Sequence, residues 1–449
     1  MSGRKMAGNV SLLLGGKAIA GLVSTIYIVI VTRVLGPRDF GTLVLVNSWA
    51  VTVGGIIAFS GWHAIVRYGA QALADGDTPR LMRLARFMTL VELGCGAAAI
   101  LIAFLFAPVA GQRLGWSPEI IGIARVYSIA IIANILTTPH GILQLAGRFD
   151  RLGVHPALSP LMRLAGTVVV WLGGGGLAGF LIVWMVSAVS EGLAMWALAW
   201  PVFRTLRGNE PLAGPVRGTV GENAGLTRFL LTTNADLTLR DLAPKLVPLI
   251  VGATLGPAAT GIYSLSGRAA LILQQPAIQL SQAAYPAVAK LLAEGERQKA
   301  IRMTWRTSGI ALLITVPLVV LLAFFSKQIL QLMGGRAFGD GAFLFILLTV
   351  GRAALLGAVP ISSALIALGR TGASIAVNLV TNLGMLPLLP LALTLFGLTG
   401  AGWFAILSGV STLVALAMVF RAGKAAPPPL DPALAAVAPT DDPRGLSDG

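Results

Sequence analysis

The sequence has little of what soluble enzymes and disulfide-rich domains are built from. Only 11% of its 449 residues are charged, against about 25% in a typical soluble domain. A single cysteine, Cys95, excludes a disulfide framework and a thiolate metal site. The three histidines, His63, His140 and His155, do not have metal-ligand spacing, which argues against zinc hydrolase chemistry. The shortage of charge indicates a protein that lies in lipid.

Long apolar runs make up most of the chain. Hydrophobic residues account for 56% of it, and the mean hydropathy is +0.82. Because unpaired backbone groups cannot face lipid, runs of about 20 apolar residues are predicted to be helices. The predicted fold class is an all-α polytopic membrane protein with about 12 transmembrane helices. The predicted spans are 9–33, 41–69, 86–108, 118–147, 150–172, 177–203, 228–254, 258–285, 305–326, 339–368, 371–396 and 399–421.

Basic residues fall mainly on one side of these spans. Twenty Lys and Arg residues lie on the side of the N-terminus and five lie on the other side. Because Lys and Arg are retained in cytoplasmic loops, both termini are predicted to be cytoplasmic. The cations are scattered between apolar segments rather than clustered, which argues against nucleic acid as a partner.

One motif occurs twice in the chain. Leu35-Gly36-Pro37 with Gly41 recurs as Leu255-Gly256-Pro257 with Gly261, at an offset of 220 residues. The Gly and Pro of each copy are expected to end one helix and turn the chain into the next. Further pairs recur at nearly the same offset, among them Asp75-Gly76-Asp77 with Glu294-Gly295-Glu296, and Gly147-Arg148 with Gly369-Arg370.

These repeats predict two six-helix lobes in the same orientation around a central cavity, because each repeat contains an even number of spans. The predicted boundaries are 1–203 for the N-terminal lobe and 228–421 for the C-terminal lobe. Residues 204–227 are predicted to form a cytoplasmic linker. The Pro- and Ala-rich tail 422–449 is predicted to be disordered.

Ionisable side chains at membrane depth are costly, so each is a candidate for function or for ion pairing. The residues predicted to lie inside the spans are Lys17, Glu92, Arg125, Arg163, Glu191, Asp236, Arg240, Asp241, Lys245, Arg268 and Arg352. Arg125 is expected to reach the membrane surface, and Lys17 and Glu92 either do the same or act in the interior. Five cations and three acids remain, which predicts a net positive cavity.

The seventh predicted span has the most charge. Asp236 and Arg240 are four residues apart, as are Asp241 and Lys245, which predicts two ion pairs on one helix. The pairs lie on different faces, so they either neutralise the helix internally or line a hydrated cavity.

Two further ion pairs are expected across helical hairpins, Glu191 with Arg163 and Asp241 with Arg268. Arg352 has no evident acid.

Three segments resemble the polysaccharide-transporter branch of the multidrug/oligosaccharidyl-lipid/polysaccharide exporter superfamily. They are Arg33-Val34-Leu35-Gly36-Pro37 with Phe40-Gly41, Val66-Arg67-Tyr68, and Leu145-Ala146-Gly147-Arg148-Phe149. The resemblance covers about residues 9–421. It implies an inner-membrane flippase that moves an undecaprenyl-pyrophosphate-linked oligosaccharide to the periplasmic leaflet for O-antigen, capsule or exopolysaccharide assembly. It also implies a polysaccharide polymerase and a chain-length regulator as partners.

Members of this branch differ widely in sequence, so candidate residues follow from charge and depth alone. Arginine and lysine suit a diphosphate, which predicts a pyrophosphate site formed by Arg163, Arg240, Arg268, Arg352, Lys245 and Lys17. A coupling proton or sodium ion is expected at Asp236, Asp241 or Glu92. No catalytic residue, metal site or other cofactor is predicted.

Three alternatives stay open. A drug/cation antiporter of the multidrug and toxin extrusion type is expected to have an acidic and apolar cavity. A membrane polymerase or acyltransferase would need a long catalytic loop, and the longest predicted connection is about two dozen residues. The lipid II flippase of peptidoglycan synthesis resembles this branch but usually has two additional helices.

Overall fold

A computed structural model describes residues 3–57, 59–134, 137–271, 288, 290–292 and 294–422. Side chains are described from Ala20 onward, except at position 134. The described residues form helices joined by short turns and contain no strand, so the predicted all-α fold is confirmed. Most of the predicted tail, residues 423–449, lies outside the described residues.

The N-terminal half contains seven α-helices and a 3-10 helix among its described residues. They are α1 (Gly3–Ile57), α2 (Trp62–Ala74), α3 (Thr78–Leu114), α4 (Pro118–Tyr127), the 3-10 helix Ser128–Asn134, α5 (Thr138–Leu145), α6 (Phe149–Leu172) and α7 (Leu177–Arg207).

A short helix, α8 (Thr219–Glu222), lies in the linker. In the C-terminal half the structure describes α9 (Leu226–Leu255), α10 (Pro257–Ala270), α11 (Arg297–Phe324), α12 (Ser326–Gly334), the 3-10 helix Arg336–Gly341, α13 (Ala342–Ala367), α14 (Thr371–Asn378), the π-helix Leu379–Gly384, α15 (Leu388–Phe396) and α16 (Thr399–Ala422).

Seven helices of the described chain are long and apolar enough to cross a membrane, or eight if α14 and α15, bent by 42°, form one span. The predicted number of about 12 is therefore not reached by length and composition alone. Two helices show why. The charged side chains of α9 lower its hydropathy, and the described part of α10 has only 14 residues. In addition, Gly36 has non-helical backbone angles and separates two helical limbs within α1, which the count of seven takes together as one span.

Three predicted spans are wrong as continuous helices. The span 41–69 is interrupted between Ile57 and Trp62, and the span 118–147 between the 3-10 helix and Thr138. The span 371–396 is bent by 42° between Gly384, where its π-helix ends, and Leu388. Glycine or proline lies at each interruption, and proline has no N–H for the helical ladder. The interruptions produce short half-helices, of which α2 and α5 position a candidate residue described below.

The repeated turns share their backbone geometry. Gly36 and Gly256 have φ angles of 68° and 86°, and Gly76 and Gly295 have φ angles of 69° and 76°. Only glycine adopts this left-handed region at little cost. The Asp75–Asp77 turn is structural, because the Asp77 carboxylate caps α3 by accepting a hydrogen bond from the Arg80 amide at 2.9 Å.

The two halves meet along α1, which packs against α9 and α10. We call this contact the seam. At one end, which we call the glycine crossing, a Cβ on Gly41 would collide with the Pro257 carbonyl, and a Cβ on Gly261 would collide with the Pro37 carbonyl. The two copies of the repeated motif therefore pack reciprocally against each other, backbone to backbone.

The linker packs on the N-terminal half through arginines of α3. Arg83 forms an ion pair with Glu222 at 2.9 Å, and Arg80 donates to the Asn223 amide oxygen at 3.1 Å. Arg86 donates to the carbonyl of Leu212 at 3.0 Å and to that of Pro211. The linker that was predicted from composition thus has a defined position on α3.

Candidate functional site

Arg163 on α6 lies among aromatic side chains. Its guanidinium carbon is 4.6 Å from the ring centroid of Trp184 on α7, and its Nη1 donates to the Tyr27 hydroxyl on α1 at 3.4 Å. Tyr27 and Trp184 meet edge to face, with ring centroids 6.3 Å apart. A cation over an aromatic face is stabilised by the ring quadrupole, so the two rings hold Arg163 in place without neutralising it.

A second arginine approaches this group from the other half of the chain. Arg268 on α10 lies within electrostatic range of the Tyr27 hydroxyl, as does Arg163. We call Tyr27, Arg163, Trp184 and Arg268 the arginine–aromatic cluster. It joins the N-terminal and C-terminal halves at the first limb of α1, where Arg163 donates to the Tyr27 hydroxyl and Arg268 adds a second positive charge within electrostatic range.

Lys245 on α9 lies directly on the seam. A Cβ placed on Gly55 of α1 would be 2.7 Å from the Lys245 Nζ. The Lys245 carbonyl also accepts a hydrogen bond from Thr52 Oγ1 at 3.3 Å. The side chain therefore extends along α1, and the predicted ion pair between Asp241 and Lys245 is absent from the ion pairs of the described residues.

Of the two pairs predicted on this helix, the other is confirmed. Arg240 Nε lies 2.9 Å from Asp236 Oδ1, with 46% and 35% of the two side chains exposed. Charged side chains that are this exposed at membrane depth face water or headgroups rather than acyl chains. The helix runs unbroken through Pro244 and Pro248.

The two predicted cross-hairpin pairs, Glu191 with Arg163 and Asp241 with Arg268, do not form among the described residues. The reason for Arg163 is geometric, since its guanidinium is directed to Trp184 and Tyr27. Arg352, on α13, is near Tyr263 of α10 and has no acid partner in the described chain, in agreement with the prediction.

The net charge of the candidate site follows from these contacts. Among the five cations predicted at mid-depth, Arg240 is paired with an acid. The other four, Arg163, Lys245, Arg268 and Arg352, are half-buried and form no ion pair within the described residues. Lys17 lies in the part of α1 whose side chains are outside the described residues.

Glu92 on α3 does not reach the membrane surface, since its side chain is fully buried. Its Oε1 accepts hydrogen bonds from the Gly61 amide at 3.0 Å and Thr137 Oγ1 at 2.6 Å. Its Oε2 accepts from the amides of Thr137 at 3.0 Å and Thr138 at 3.1 Å. Of the two readings left open for Glu92, the structure therefore supports a role in the interior.

Sequence reasoning missed Tyr27, Trp184 and Asn234 because it considered only formal charge. The available signal was weak. Trp184 lies on the helix that follows Arg163, but Tyr27 lies on α1, 136 residues away. In the described residues no group of three or more His, Cys, Asp or Glu side chains is arranged to hold a metal ion.

Comparison with protein families identifies the class of molecule. A family model described as "Polysaccharide biosynthesis protein" matches residues 30–341, which is more than half of the chain. The chain belongs to this polysaccharide biosynthesis protein family. The match includes the arginine–aromatic cluster except Tyr27, and it ends within the 3-10 helix before α13.

One relative of this polysaccharide biosynthesis family member is a bacterial inner membrane protein. The chain is 29% identical over 259 residues to the inner membrane protein YghQ of Escherichia coli strain K12, covering 57% of this chain and 72% of YghQ.

Two solved structures share the fold. One is an inward-facing multidrug resistance MATE family transporter of the MOP superfamily, with a TM-score of 0.71, 15% identity, and coverage of 90% of this chain and 93% of the transporter. The other is the lipid II flippase MurJ in an inward closed conformation, with a TM-score of 0.70, 13% identity, and coverage of 91% and 87%.

The family match and the shared fold confirm the resemblance that was stated from the sequence. The protein is a multi-pass membrane protein of this polysaccharide biosynthesis family, with the fold of the MATE and MurJ structures.

Proposed function

We propose that the protein is a flippase that moves a polyprenyl-pyrophosphate-linked oligosaccharide across the bacterial inner membrane. The cargo would serve O-antigen, capsule or exopolysaccharide assembly. Both termini would lie in the cytoplasm, because the excess of basic residues lies on their side. The family assignment supports a role in polysaccharide biosynthesis, and the name of YghQ supports the inner membrane.

The observation that carries this proposal is the set of cations without acid partners. Arg163 donates to the Tyr27 hydroxyl, and Arg268 of the other half lies within electrostatic range of the same hydroxyl. Lys245 lies on the seam between the halves. A planar guanidinium offers paired donors to phosphoryl oxygens, so two of them suit a diphosphate. A diphosphate would supply the negative charge that the protein itself does not provide here.

The transport problem is to carry a charged, hydrophilic head group past hydrocarbon while the polyprenyl tail stays in lipid. Two halves that open alternately to either side of the membrane would solve it. Arg240, Arg352 and Lys17 would extend the cationic path, and a proton or sodium ion bound at Asp236, Asp241 or Glu92 would drive the cycle. A polysaccharide polymerase and a chain-length regulator would use the product.

The main competing function is drug/cation antiport, because the fold is shared equally with a MATE family transporter and with MurJ. The charge of the site favours the flippase, since a cationic drug would be repelled by four cations that form no ion pair among the described residues. Flipping of lipid II instead of a glycan precursor would use the same diphosphate chemistry, so complementation has to separate the two.

The test is the double substitution of Arg163→Ala and Arg268→Ala in a strain that lacks its own O-antigen flippase. We expect the unmodified protein to restore surface polysaccharide and the double variant to restore at least about tenfold less, because charge-assisted hydrogen bonds contribute about 1.5–3 kcal/mol each. The matched control is Arg125→Ala, whose guanidinium lies 5.4 Å from the Phe104 ring, away from the cluster.

Normal export by the double variant, at equal protein level, would contradict the proposed site. Failure of the unmodified protein to export glycan, together with increased resistance to cationic drugs, would favour the antiporter. Rescue of a strain depleted of its lipid II flippase would assign the peptidoglycan precursor as cargo.

A further inference from the structure

Glu92 connects the two interrupted helices of the N-terminal half. Trp62 is the first residue of α2 and Thr138 the first of α5, and neither helix has a side-chain cap of its own. The first N–H groups of a helix lack intrahelical partners and carry partial positive charge. The Glu92 carboxylate accepts from the amides at both helix starts, so one side chain on α3 caps two half-helices.

No cation balances this buried carboxylate among the described residues. The titratable and charged groups of its own helix and of the helices around it form neither a hydrogen bond nor an ion pair with it. Among these groups are Cys95 on α3, His63 on α2, His140 on α5, Glu191 on α7, and Asp236 and Arg240 on α9. The ionised form is therefore held by hydrogen bonds alone, against the cost of removing a charge from water.

The residue that precedes the capped Gly61 forms a contact across the seam. The Ser60 amide donates to the Asn234 side-chain oxygen at 2.6 Å, and the Asn234 side-chain nitrogen donates to the Ser60 carbonyl at 3.3 Å. Asn234 belongs to α9 of the C-terminal half and is only 8% exposed. We call this pair the Ser60–Asn234 contact. Ser60 Oγ also donates to Thr137 Oγ1 at 3.4 Å, which joins the contact to the donors of Glu92.

We propose that Glu92 is a proton-binding site whose ionisation controls the Ser60–Asn234 contact between the two halves. A carboxylate accepts all four hydrogen bonds, whereas a protonated carboxyl has one oxygen that donates and accepts poorly. Thr137 Oγ1 already accepts hydrogen bonds from the Gly61 amide at 2.9 Å and from Ser60 Oγ at 3.4 Å. With the proton on Oε1, Thr137 Oγ1 would change from donor to acceptor toward Glu92, so its two lone pairs would face three donors and one donor at 60–61 would lose its partner. An unpaired buried donor is costly, so the 60–61 backbone would move and the Ser60–Asn234 contact would open.

This inference rests on the proposed function only in requiring that the halves move relative to each other. It assigns the coupling ion as a proton and places it at Glu92, rather than at Asp236 or Asp241. It also gives the proton a mechanical effect, because the bound proton weakens a named contact on the seam.

The experiment measures the distance between the halves in the purified full-length protein, without substrate, in lipid nanodiscs. Cys95, the single native cysteine, is replaced by alanine, and spin labels are attached at Gln71→Cys on α2 and Gln298→Cys on α11, both exposed positions. The distance between the two labels is measured by pulsed electron–electron double resonance between pH 5 and pH 9. We expect the distance distribution to shift to longer values in one transition as the pH falls.

The variants isolate the contributions of the two residues. Glu92→Gln is expected to show the long distance at every pH, and Asn234→Ala to do the same because it removes the contact itself. Thr137→Val keeps the carboxyl but removes the hydroxyl that links Glu92 to Gly61 and Ser60. Its distance distribution is expected not to change with pH, and it serves as the test if Glu92→Gln does not fold.

Two controls match these changes in chemistry. Glu119→Gln alters an exposed carboxyl, and Asn378→Ala removes an amide that bonds the Ser374 carbonyl of its own helix. Both are expected to keep the transition of the parent.

A wild-type transition in Glu92→Gln, in Asn234→Ala or in Thr137→Val would overturn the proposal. Loss of glycan export with the distance change intact would instead reject the proposed function alone, because no cargo is present in the distance measurement.

Discussion

At the glycine crossing two backbones touch directly, whereas at the Ser60–Asn234 contact the same two halves are joined by hydrogen bonds. Gly41 and Gly261 pack against the carbonyls of Pro257 and Pro37 with no room for a side chain. Near Ser60, the contacts are an asparagine amide, the Thr238 hydroxyl on the Gly55 carbonyl at 3.3 Å, and the Lys245 ammonium. Gly41 and Gly55, which belong to the two regions, are about 21 Å apart along α1, at ~1.5 Å per residue.

This difference indicates which end is suited to open. A hydrogen bond across the seam can be replaced by one to water at little net cost. Water cannot replace the close packing of two glycine backbones in this way. Separating the two helices there exposes surfaces that are complementary only to each other. We therefore expect the polar end of the seam to respond to pH and cargo, and the glycine crossing to act as the more permanent junction between the halves.

The strongest way to break the comparison is Gly41→Ala. Its methyl group would collide with a carbonyl of the other half, so the two helices have to separate, at a cost of about 3 kcal/mol. The matched variant is Gly55→Ala on the same helix, where the new methyl meets the end of the flexible Lys245 side chain at 2.7 Å. We expect the thermal midpoint in detergent to fall by several degrees for Gly41→Ala and to change little for Gly55→Ala.

Both substitutions gain the same helix propensity, so this gain cancels between them. Equal midpoints for the two variants would show that the crossing is not a close backbone contact, and the distinction between the two ends would be lost.

A double-substitution cycle tests whether the crossing is reciprocal. Once Gly41→Ala has separated the two helices, the methyl group of Gly261→Ala fits without further separation. We expect the double variant to lose less stability than the sum of the two single variants, with an interaction of about 1 kcal/mol or more. The thermal midpoints of the four proteins give this value. Strict additivity would mean that the two glycines pack against independent surfaces.

Thr238→Val sharpens the comparison at the polar end. It removes one hydroxyl donor to the Gly55 carbonyl while keeping the shape of the side chain, so the expected loss is about 1 kcal/mol. Thr254→Val on the same helix is the control, because the Thr254 hydroxyl bonds the Ile250 carbonyl of its own helix. A loss for Thr254→Val as large as that for Thr238→Val would assign the effect to the helix rather than to the seam.

The sequence alone was sufficient for the all-helical membrane fold, because hydropathy and span length depend only on local composition. The repeated glycine motif was also recognisable, but its role was not. Gly41 and Gly261 are 220 residues apart, and no local rule indicates that they pack on each other. The interruptions at Gly61 and Pro139 were missed because they lie within runs that are apolar throughout.

The candidate site was predicted less completely than the fold. Charge and depth identified Arg163, Arg268 and Glu92, but the partners assigned to the arginines were wrong. Spacing along one helix predicted the pair of Asp236 with Arg240. The same spacing failed for Asp241 and Lys245, because the Lys245 ammonium lies against Gly55 of α1. The aromatic neighbours of Arg163 come from α1 and α7, and only the packing of those helices places them there.

The smallest effect is expected for the contact between the linker and α3. Arg86→Ala removes the donors to the Pro211 and Leu212 carbonyls. Because this contact is exposed, we expect a loss of stability below about 1 kcal/mol but faster cleavage of the linker by a protease. Arg113→Ala, at the other end of α3, is the control and is expected to leave cleavage unchanged. Unchanged cleavage in Arg86→Ala would mean that Arg80 and Arg83 are sufficient to hold the linker on the N-terminal half.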